Sequence, residues 1–210
     1  MIIAIDGTLA AGKGTIAKRL AAHFALPHMD TGRLYRATGV AALKAGVDLD
    51  DEDAVATLAA SLDLDHYTES ELRTAEAGVA ASRVAVLPKV RAALLQLQKD
   101  FAHQPAGAVL DGRDIGTVVC PEADVKLWVD AEVDIRGRRR HRELAAAGAT
   151  ITIDELTQQL RERDARDSSR KDAPMKAAAD AILIDTTDLS IDAAVDKARA
   201  AVEAVMARKE

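Results

Sequence analysis

Residues 7–15 read GTLAAGKGT and directly follow the apolar run MIIAID at residues 1–6. A glycine, four residues and then Gly-Lys with a hydroxyl residue two places after the lysine is the spacing of a phosphate-binding loop, in which backbone N–H groups surround phosphate oxygens. The preceding run predicts a short buried parallel strand, and residues 15–24 carry apolar side chains at helical spacing. The alternative is a turn that binds nothing. Both flanking elements favour a phosphate site, in which Lys13 reaches the β- and γ-phosphates and the helix N-terminus adds a partial positive charge.

The size and charge of the chain limit what it can be. Its 210 residues suit one α/β domain with a substantial core and would be cramped for two full domains. The formal net charge of -6 disfavours general binding to nucleic acids or membrane surfaces, because both are polyanions. The single cysteine, Cys120, excludes an intramolecular disulfide and a cysteine-based metal cluster.

No apolar run approaches the roughly 20 residues of a membrane span, and the N-terminus predicts a core strand instead of a signal peptide. No long apolar segment requires a partner either. We therefore expect a cytoplasmic monomer that binds neither nucleic acid nor membrane.

Four further short β-type runs alternate with long, alanine-rich helical stretches. They lie at residues 27–30, 108–111, 125–130 and 181–185. This alternation predicts a parallel sheet with helices on both faces. Several strands end in a carboxylate, namely Asp6, Asp30, Asp111, Asp130 and Asp185. Because ligands bind at the carboxyl ends of the strands in open parallel sheets, we expect these acids near the phosphate loop, with one or two functional and others capping helices.

Two regions interrupt the alternation of strands and helices. Residues 63–90 are polar and then helical, so we expect them outside the main sheet. Residues 131–170 are helical and rich in arginine, which is compatible with a mobile lid. The acidic patch DLDDED at residues 48–53 predicts a solvated helix start in preference to a metal site, because the first turn of a helix favours acids.

Basic residues follow two of the predicted strands. In DTGRLYR at residues 30–36, Asp30 or Thr31 can cap a helix while Arg36 points its guanidinium group towards the sheet edge. In LDGRDIGT at residues 110–117, an Arg-Asp pair stands just past a strand end, preceded by a carboxylate that can order the waters of a bound Mg²⁺. A surface ion pair of little energetic value is the alternative for that pair.

The segment RERDARDSSR at residues 161–170 places three guanidinium groups and one carboxylate on one predicted helix face, because Arg163, Arg166, Asp167 and Arg170 are spaced i, i+3, i+4, i+7. Stacked like charges repel, so an anion such as a transferring phosphoryl group should offset them. The alternative is a solvated face with internal salt bridges. A second cluster is formed by Arg136, Arg138, Arg139, Arg140 and Arg142, for which a lid role and a plain surface role are equally open.

Together these motifs resemble the bacterial cytidylate kinase family over essentially the whole chain. The matching segments are the IDG and GKGT of residues 5–15, DTGRLYR at 30–36, AASRVAVLPKVR at 80–91, DGRDIGTVV at 111–119, RDARDSSR at 163–170, AADA at 178–181 and DTTDLS at 185–190. The resemblance implies an α/β, three-layer P-loop kinase fold with a five-stranded parallel sheet, a small monophosphate-binding excursion and a helical lid. It implies one domain over residues 1–210. The core would take residues of about 1–62, 88–130 and 174–210, the monophosphate-binding region about 63–87 and the lid about 131–170.

The implied activity is the MgATP-dependent phosphorylation of CMP and dCMP to their diphosphates. By matching motif, ATP would bind the loop residues Gly7, Thr8, Leu9, Ala10, Ala11, Gly12, Lys13, Gly14 and Thr15. CMP would bind Thr31, Tyr35, Arg36, Ser82, Arg91, Arg113, Asp114, Arg163, Asp167 and Arg170. Within that set, the cytosine base would contact Ser82, Arg91 and Asp114. The implied catalytic residues are Lys13, Arg113, Arg163 and Arg170. Thr15 and Asp111 would hold Mg²⁺, partly through water.

The chain departs from the family pattern in two places. Many relatives have a proline after the first loop glycine and a further glycine inside the loop, where this chain has Thr8 and Ala10. This difference bears on the shape of the loop and not on phosphate binding. The monophosphate-binding insert, often elaborated with a small antiparallel sheet, is compressed here to about residues 64–78 and is expected to hold little or no sheet.

Two other functions compete with this one. The first is a kinase for another small acceptor, such as AMP, UMP or shikimate. The second is a switch protein that binds ATP or GTP without phosphorylating anything. The chain has no N-K-x-D segment of the kind that binds guanine, and a pure binder would leave the arginine sites unexplained.

Overall fold

A computed structural model describes residues 1–146, 148 and 150–208. The strands are β1 Ile2–Gly7, β2 His28–Asp30, β3 Ala108–Gly112, β4 Val125–Asp130 and β5 Ile182–Asp185. The helices are α1 Lys13–His23, α2 Thr31–Ala45, α3 Glu52–Ala60, α4 Glu69–Leu72, α5 Ala75–Val84, α6 Pro88–Ala102, α7 Val133–Ala146, α8 Ile153–Ser169 and α9 Ile191–Met206. A short 3-10 turn at Leu64–His66 and a π-helical turn at Ile115–Val119 complete the described structure.

The chain divides into two compact units. The first unit consists of Met1–Met29 with Gln104–Glu210, and the second consists of Asp30–His103. The strand order in the sheet is β2-β3-β1-β4-β5. Strand β1 pairs in parallel with both β3 and β4, and β4 pairs in parallel with β5. The five strands predicted from the sequence are confirmed.

The core of the first unit lies on the central strand. Ile3, Ala4 and Ile5 of β1 are fully buried, as expected for a strand covered on both faces. Helices α1 and α9 pack against this part of the sheet through Ile16 and Ala198, among others. The buried sheet therefore holds the loop after β1 on a rigid base.

After Asp30, the last residue of β2, the second unit consists of helices and the loops that join them. Helices α2 and α5 approach closely, since a Cβ atom on Gly39 would lie 2.7 Å from the Cβ atom of Ala80. Residues 63–90 are all described and contain no strand, so the expectation of little or no sheet in the compressed insert is confirmed. Helix α3 is capped by Asp51, whose carboxylate accepts a hydrogen bond from the backbone N–H of Ala54. The acidic patch is thus a helix start, as predicted.

Helices α7 and α8 form the region predicted as a lid. They pack so closely that a Cβ atom on Gly137 would lie 2.2 Å from the Oγ1 atom of Thr157, which explains the glycine there. The helical character of this region is confirmed for its described residues, while its mobility, and the division of one domain into core, monophosphate-binding region and lid, stay predictions. The parts of those regions at residues 147, 149, 209 and 210 lie outside the described residues. No described helix has both the length and the apolar character that crossing a membrane would need.

Candidate active site

The predicted phosphate loop connects β1 to α1 through residues with left-handed backbone. Gly7 has φ +143°, and a Cβ atom there would lie 1.8 Å from the carbonyl oxygen of Val129. Gly12 has φ +99° and precedes the first residue of α1. Ala10 has φ +62°, a conformation that alanine adopts at a steric cost that glycine does not have. Left-handed residues in a turn allow neighbouring backbone N–H groups to face the same concave space, which is how backbone anion sites are built.

Two side chains within the loop hold its shape. Lys13 is buried, and its Nζ atom donates to the carbonyl oxygen of Thr8 at 2.6 Å. The Oγ1 atom of Thr8 donates to Oδ1 of Asp130 at 2.6 Å, and the same oxygen accepts from the N–H of Ala131. The hydroxyl group of Thr8 thus ties the loop to the end of β4.

Two further residues contact the loop from outside its own segment. Thr186, just after β5, donates from Oγ1 to the carbonyl oxygen of Ala11 at 2.9 Å. Arg136 of α7 donates to the carbonyl oxygen of Leu9 at 3.2 Å. Sequence reasoning did not assign Thr186, although its position directly after a strand end was a usable signal.

The arginine cluster on α7 has more than one environment. Arg136 is 5% exposed, and Arg139 donates to Oγ1 and to the carbonyl oxygen of Thr186. Arg138 and Arg142 are exposed. These side chains therefore differ in their burial, which the sequence does not show.

Two strand-end carboxylates of the first unit lie against the loop. Asp130 contacts it directly through Thr8. The Oδ2 atom of Asp111 lies 3.9 Å from where a Cβ atom on Gly14 would stand, and its Oδ1 atom lies 2.7 Å from Nε2 of His28. Sequence reasoning did not assign His28. Asp185, by contrast, is exposed and accepts from the N–H of Thr187, which is a local turn contact.

Asp6 holds the segment that follows β3. Its two carboxylate oxygens accept from the N–H groups of Ile115 at 2.8 Å and Gly116 at 2.7 Å. These donors directly follow Asp114, so Asp6 fixes the backbone on which Arg113 and Asp114 stand. Burial raises the pKa of the Asp6 carboxyl to about 6, and the two backbone hydrogen bonds oppose that rise.

The raised pKa of Asp6 predicts a pH dependence of stability. Because the folded chain binds this proton more tightly than the unfolded chain, the stabilisation is complete below the ordinary pKa of 3.8 and is lost as the pH rises through about 6. We expect the free energy of unfolding of the wild type, minus that of Asp6→Asn, to fall by about 2–3 kcal/mol between pH 4 and pH 7. Urea titrations of both proteins across that range measure the difference. A difference that is constant with pH would contradict the assignment.

A buried carboxylate on α8 gathers three guanidinium groups. Asp167 is 3% exposed, and its Oδ2 atom lies 3.2 Å from Nε of Arg113 and 3.8 Å from Nε of Arg163. Its Oδ1 atom lies 3.6 Å from a terminal nitrogen of Arg170, whose Nε also donates to the backbone oxygen of Asp167. Three positive charges around one negative charge leave a net positive site, which suits a phosphoryl group.

The composition of this cluster differs from the sequence prediction in one member. Arg166 is exposed, and Arg113 from the segment after β3 is the third guanidinium group around Asp167. The physical reason is that Arg166 lies one residue, and therefore about 100°, from Asp167 around the helix axis. Arg170 lies just past the end of α8 with ψ 135°, so it reaches Asp167 from the helix end.

The second unit carries its own predicted site residues. Arg36 pairs with Asp30 at 2.5 Å, and its buried Nε atom has no hydrogen-bond partner within the described part of the chain. Asp30 occupies the cap position of α2 but makes no side-chain cap bond. Its carboxylate binds Arg36 instead. The guanidinium group of Arg91 lies 5.8 Å from the ring centre of Tyr35, a cation–π distance. The remaining residues of this set, Thr31 and Ser82, are buried.

The donors available to a magnesium ion are few. Within the described residues no group of three or more His, Cys, Asp or Glu side chains could hold a metal. Thr15, exposed on the first turn of α1, and Asp111 therefore offer one hydroxyl and one carboxylate. This set fits Mg²⁺, which proteins commonly bind through one or two carboxylates, substrate phosphates and water.

A family model described as cytidylate kinase matches residues 3–204. Among named proteins, the chain is similar to the cytidylate kinase of Methylocella silvestris, with 52% identity over 203 residues that cover 97% of this chain and 94% of that one. It is similar to the cytidylate kinase of Cereibacter sphaeroides, with 55% identity over 201 residues that cover 96% and 94%. The cytidylate kinase of Caulobacter vibrioides is 50% identical over 207 residues, which cover 99% and 97%.

Two solved structures share the fold at low sequence identity. A gluconokinase from Sinorhizobium meliloti has a TM-score of 0.54 and 11% identity, covering 99% of this chain and 94% of that one. An uncharacterized protein from Eubacterium ventriosum has a TM-score of 0.57 and 13% identity, covering 97% and 98%. The likeness shows the fold alone, a three-layer α/β P-loop kinase fold, as the sequence predicted.

Proposed function

The chain belongs to the cytidylate kinase family, and on that premise we propose that it transfers the γ-phosphoryl group of ATP to CMP or dCMP, giving ADP and CDP or dCDP. The observation that carries the proposal is the match to named cytidylate kinases at 50–55% identity over nearly the full chain. The net positive cluster around Asp167 supports it, since a nucleotide-binding switch would have no use for three guanidinium groups there.

The phosphate loop is proposed to hold the donor. Its left-handed residues and the N-terminus of α1 present N–H groups to the phosphates of ATP, and Lys13 neutralises charge on the γ-phosphoryl group. Lys13 would exchange its bond to the carbonyl of Thr8 for one to a phosphate oxygen, which costs little because both are acceptors. A magnesium ion, held by Asp111 and Thr15 with water, would supply further charge neutralisation on the phosphates.

The acceptor is proposed to use the arginine residues for its phosphate and the carboxylates for its nucleoside. Arg36, Arg113 and Arg163 would bind the phosphate of CMP, and Arg170 would stabilise the phosphoryl group in transit. Asp167 would accept from a ribose hydroxyl. The base would be bound by Ser82, Arg91 and Asp114, whose carboxylate can accept from the exocyclic amino group of cytosine but repels the carbonyl oxygen of uracil. Thr31 and Tyr35 complete the proposed CMP set.

A coupled assay of ADP release tests the function. The purified chain is mixed with MgATP and, in separate reactions, CMP, dCMP, UMP, AMP, GMP or shikimate. We expect rapid ADP release with CMP and dCMP, and far less with the other acceptors, because a site built around specific hydrogen bonds leaves buried groups unpaired with the wrong base. Preference for another acceptor would indicate a different kinase, and no ADP release with any acceptor would support a binding protein.

The role of Asp167 can be separated from that of a structural brace. If its carboxylate accepts from the 2′-hydroxyl of CMP, Asp167→Ala should lower kcat/KM more for CMP than for dCMP, which lacks that hydroxyl. A hydrogen bond to a charged group is worth about 1.5–3 kcal/mol, so the ratio of the two values should change by about 10-fold or more. Steady-state kinetics with both substrates measure it. Equal losses would leave Asp167 only as the brace of Arg113, Arg163 and Arg170.

The monomeric state and the cytoplasmic location stay predictions. Size-exclusion chromatography with light scattering tests the first.

A further inference from the structure

Arg136 of α7 is a buried cation with a partner on each of three segments. Its Nε atom donates to the carbonyl oxygen of Ala131 at 2.8 Å, and one terminal nitrogen donates to the carbonyl oxygen of Leu9 at 3.2 Å. The other terminal nitrogen pairs with Oδ2 of Asp164 on α8 at 2.7 Å. The ion pair with Asp164 neutralises the buried charge, and the other N–H donors of the guanidinium group find acceptors in the carbonyl oxygens of Ala131 and Leu9. One of those acceptors belongs to the phosphate loop.

The bond to Leu9 fixes the orientation of one peptide group of the phosphate loop. In a trans peptide the C=O and the following N–H point in opposite directions, and no described peptide bond is cis. With the carbonyl of Leu9 held by Arg136, the N–H of Ala10 must point away from α7. Thr186 holds the carbonyl oxygen of Ala11 in the same manner, so the N–H of Gly12 points away from Thr186.

The two peptides differ in how readily they keep that orientation. Gly12 adopts its φ of +99° without steric cost, because it has no Cβ atom. Ala10 has φ +62° and does have a Cβ atom, so its peptide is the one that would relax if nothing held it. The arginine therefore contacts the carbonyl of the strained peptide in the loop.

We propose that Arg136 is a positioning residue of the phosphate loop, which holds the Leu9–Ala10 peptide so that the N–H of Ala10 remains available to the phosphates of ATP. The proposal deepens the proposed kinase function and rests on it. The role of the arginine depends on the alanine at position 10. A glycine there would adopt the same left-handed backbone without steric cost, so it would need the hydrogen bond from Arg136 less. This dependence distinguishes positioning from a purely structural ion pair.

The test is a double-mutant comparison of MgADP binding by isothermal titration calorimetry. Arg136→Lys keeps a charge for Asp164 but loses the planar fork that reaches Leu9. We expect it to raise the Kd of MgADP about 10-fold, the value of one charge-assisted hydrogen bond, and to leave the Kd of CMP within about 2-fold. In a protein that also carries Ala10→Gly, the same substitution should raise the Kd of MgADP only about 2-fold, because the left-handed backbone no longer strains.

The matched control is Ala25→Gly. Ala25 also has left-handed backbone, with φ +52°, but it lies after α1 and outside the loop. Relief of strain there should leave the effect of Arg136→Lys on the Kd of MgADP at about 10-fold. An equal effect of Arg136→Lys with alanine and with glycine at position 10, or no effect in either, overturns the proposal.

A second variant covers the case in which Arg136→Lys does not fold. Arg136→Met with Asp164→Leu replaces both buried charges by apolar groups, which avoids leaving an unpaired charge in the interior. It should show the same dependence on the residue at position 10. Failure of the wild type itself to bind MgADP would refute the proposed function, whereas tight binding by every variant would refute the positioning role alone.

Discussion

The Lys13→Ala protein is expected to fold normally and to lose about 10²-fold or more in kcat. Removing one preorganised donor from a site where charge develops in the transition state has an effect of that size. The fold should survive because alanine readily adopts the helical backbone that Lys13 has, and because the loop keeps its bonds from Thr8 to Asp130 and from Thr186 to Ala11. Steady-state kinetics with MgATP and CMP, together with circular dichroism, measure both quantities.

The matched control for this substitution is Lys18→Ala. Lys18 lies on the same helix but is exposed. Its loss removes the same charge from α1 without touching the loop, so kcat should stay within about 2-fold of the wild type, as is usual for surface substitutions. A folded Lys13→Ala protein with nearly normal turnover would refute the catalytic assignment of the lysine.

Arg170→Ala is expected to lower kcat by about 10²–10³-fold, and by similar factors with CMP and dCMP. The reason is that Arg170 is proposed to stabilise the phosphoryl group in transit, which both substrates share. Its side chain is 5% exposed and its Nε atom is bonded to the backbone of Asp167, so the guanidinium group is already fixed in direction. Because this contact also braces the end of α8, thermal unfolding of the variant has to be measured beside its kinetics.

Arg166→Ala is the control for Arg170→Ala. Arg166 belongs to the same arginine-rich segment, but it is exposed and lies on another side of the helix from Asp167. We expect its kcat to remain within about 2-fold of the wild type. If the Arg170→Ala enzyme keeps full kcat, the catalytic role of Arg170 is refuted, and this helix face is better described as a solvated surface with internal salt bridges.

Much of the fold could be predicted because its signals are contiguous in the sequence. The phosphate loop is defined by spacing within nine residues, and the strands on either side of each helix show as short apolar runs bounded by turn residues. The shortness of the insert at about residues 64–78 predicted little or no sheet there, and the structure has none. Strand ends and basic motifs can also be located one segment at a time, and they pointed to candidate site residues in the same manner. The roles of those residues come from the family resemblance and stay predictions.

The parts that could not be predicted depend on contacts between distant segments. Helical spacing grouped Arg166 with Asp167 on one helix face. In the structure the third guanidinium group at the Asp167 carboxylate belongs instead to Arg113, which is 54 residues away in the chain. The contact from Arg136 to Leu9 spans 127 residues, and the bonds from Ile115 and Gly116 to Asp6 span 109 and 110. No local periodicity records such pairs.

The sequence by itself determined a strand, a phosphate loop and a helix in an α/β chain, because hydrophobic periodicity and glycine spacing act over a few residues. The tertiary structure alone decided the strand order β2-β3-β1-β4-β5, and with it which side chains meet the loop. Burial then separated similar residues, leaving Arg136 inside and Arg138 exposed on one helix. The physical reason is that desolvation of a group depends on all the atoms packed around it and not on its neighbours in the chain. Desolvation raises the pKa of Asp6, and it makes hydrogen bonds necessary for the buried guanidinium group of Arg136.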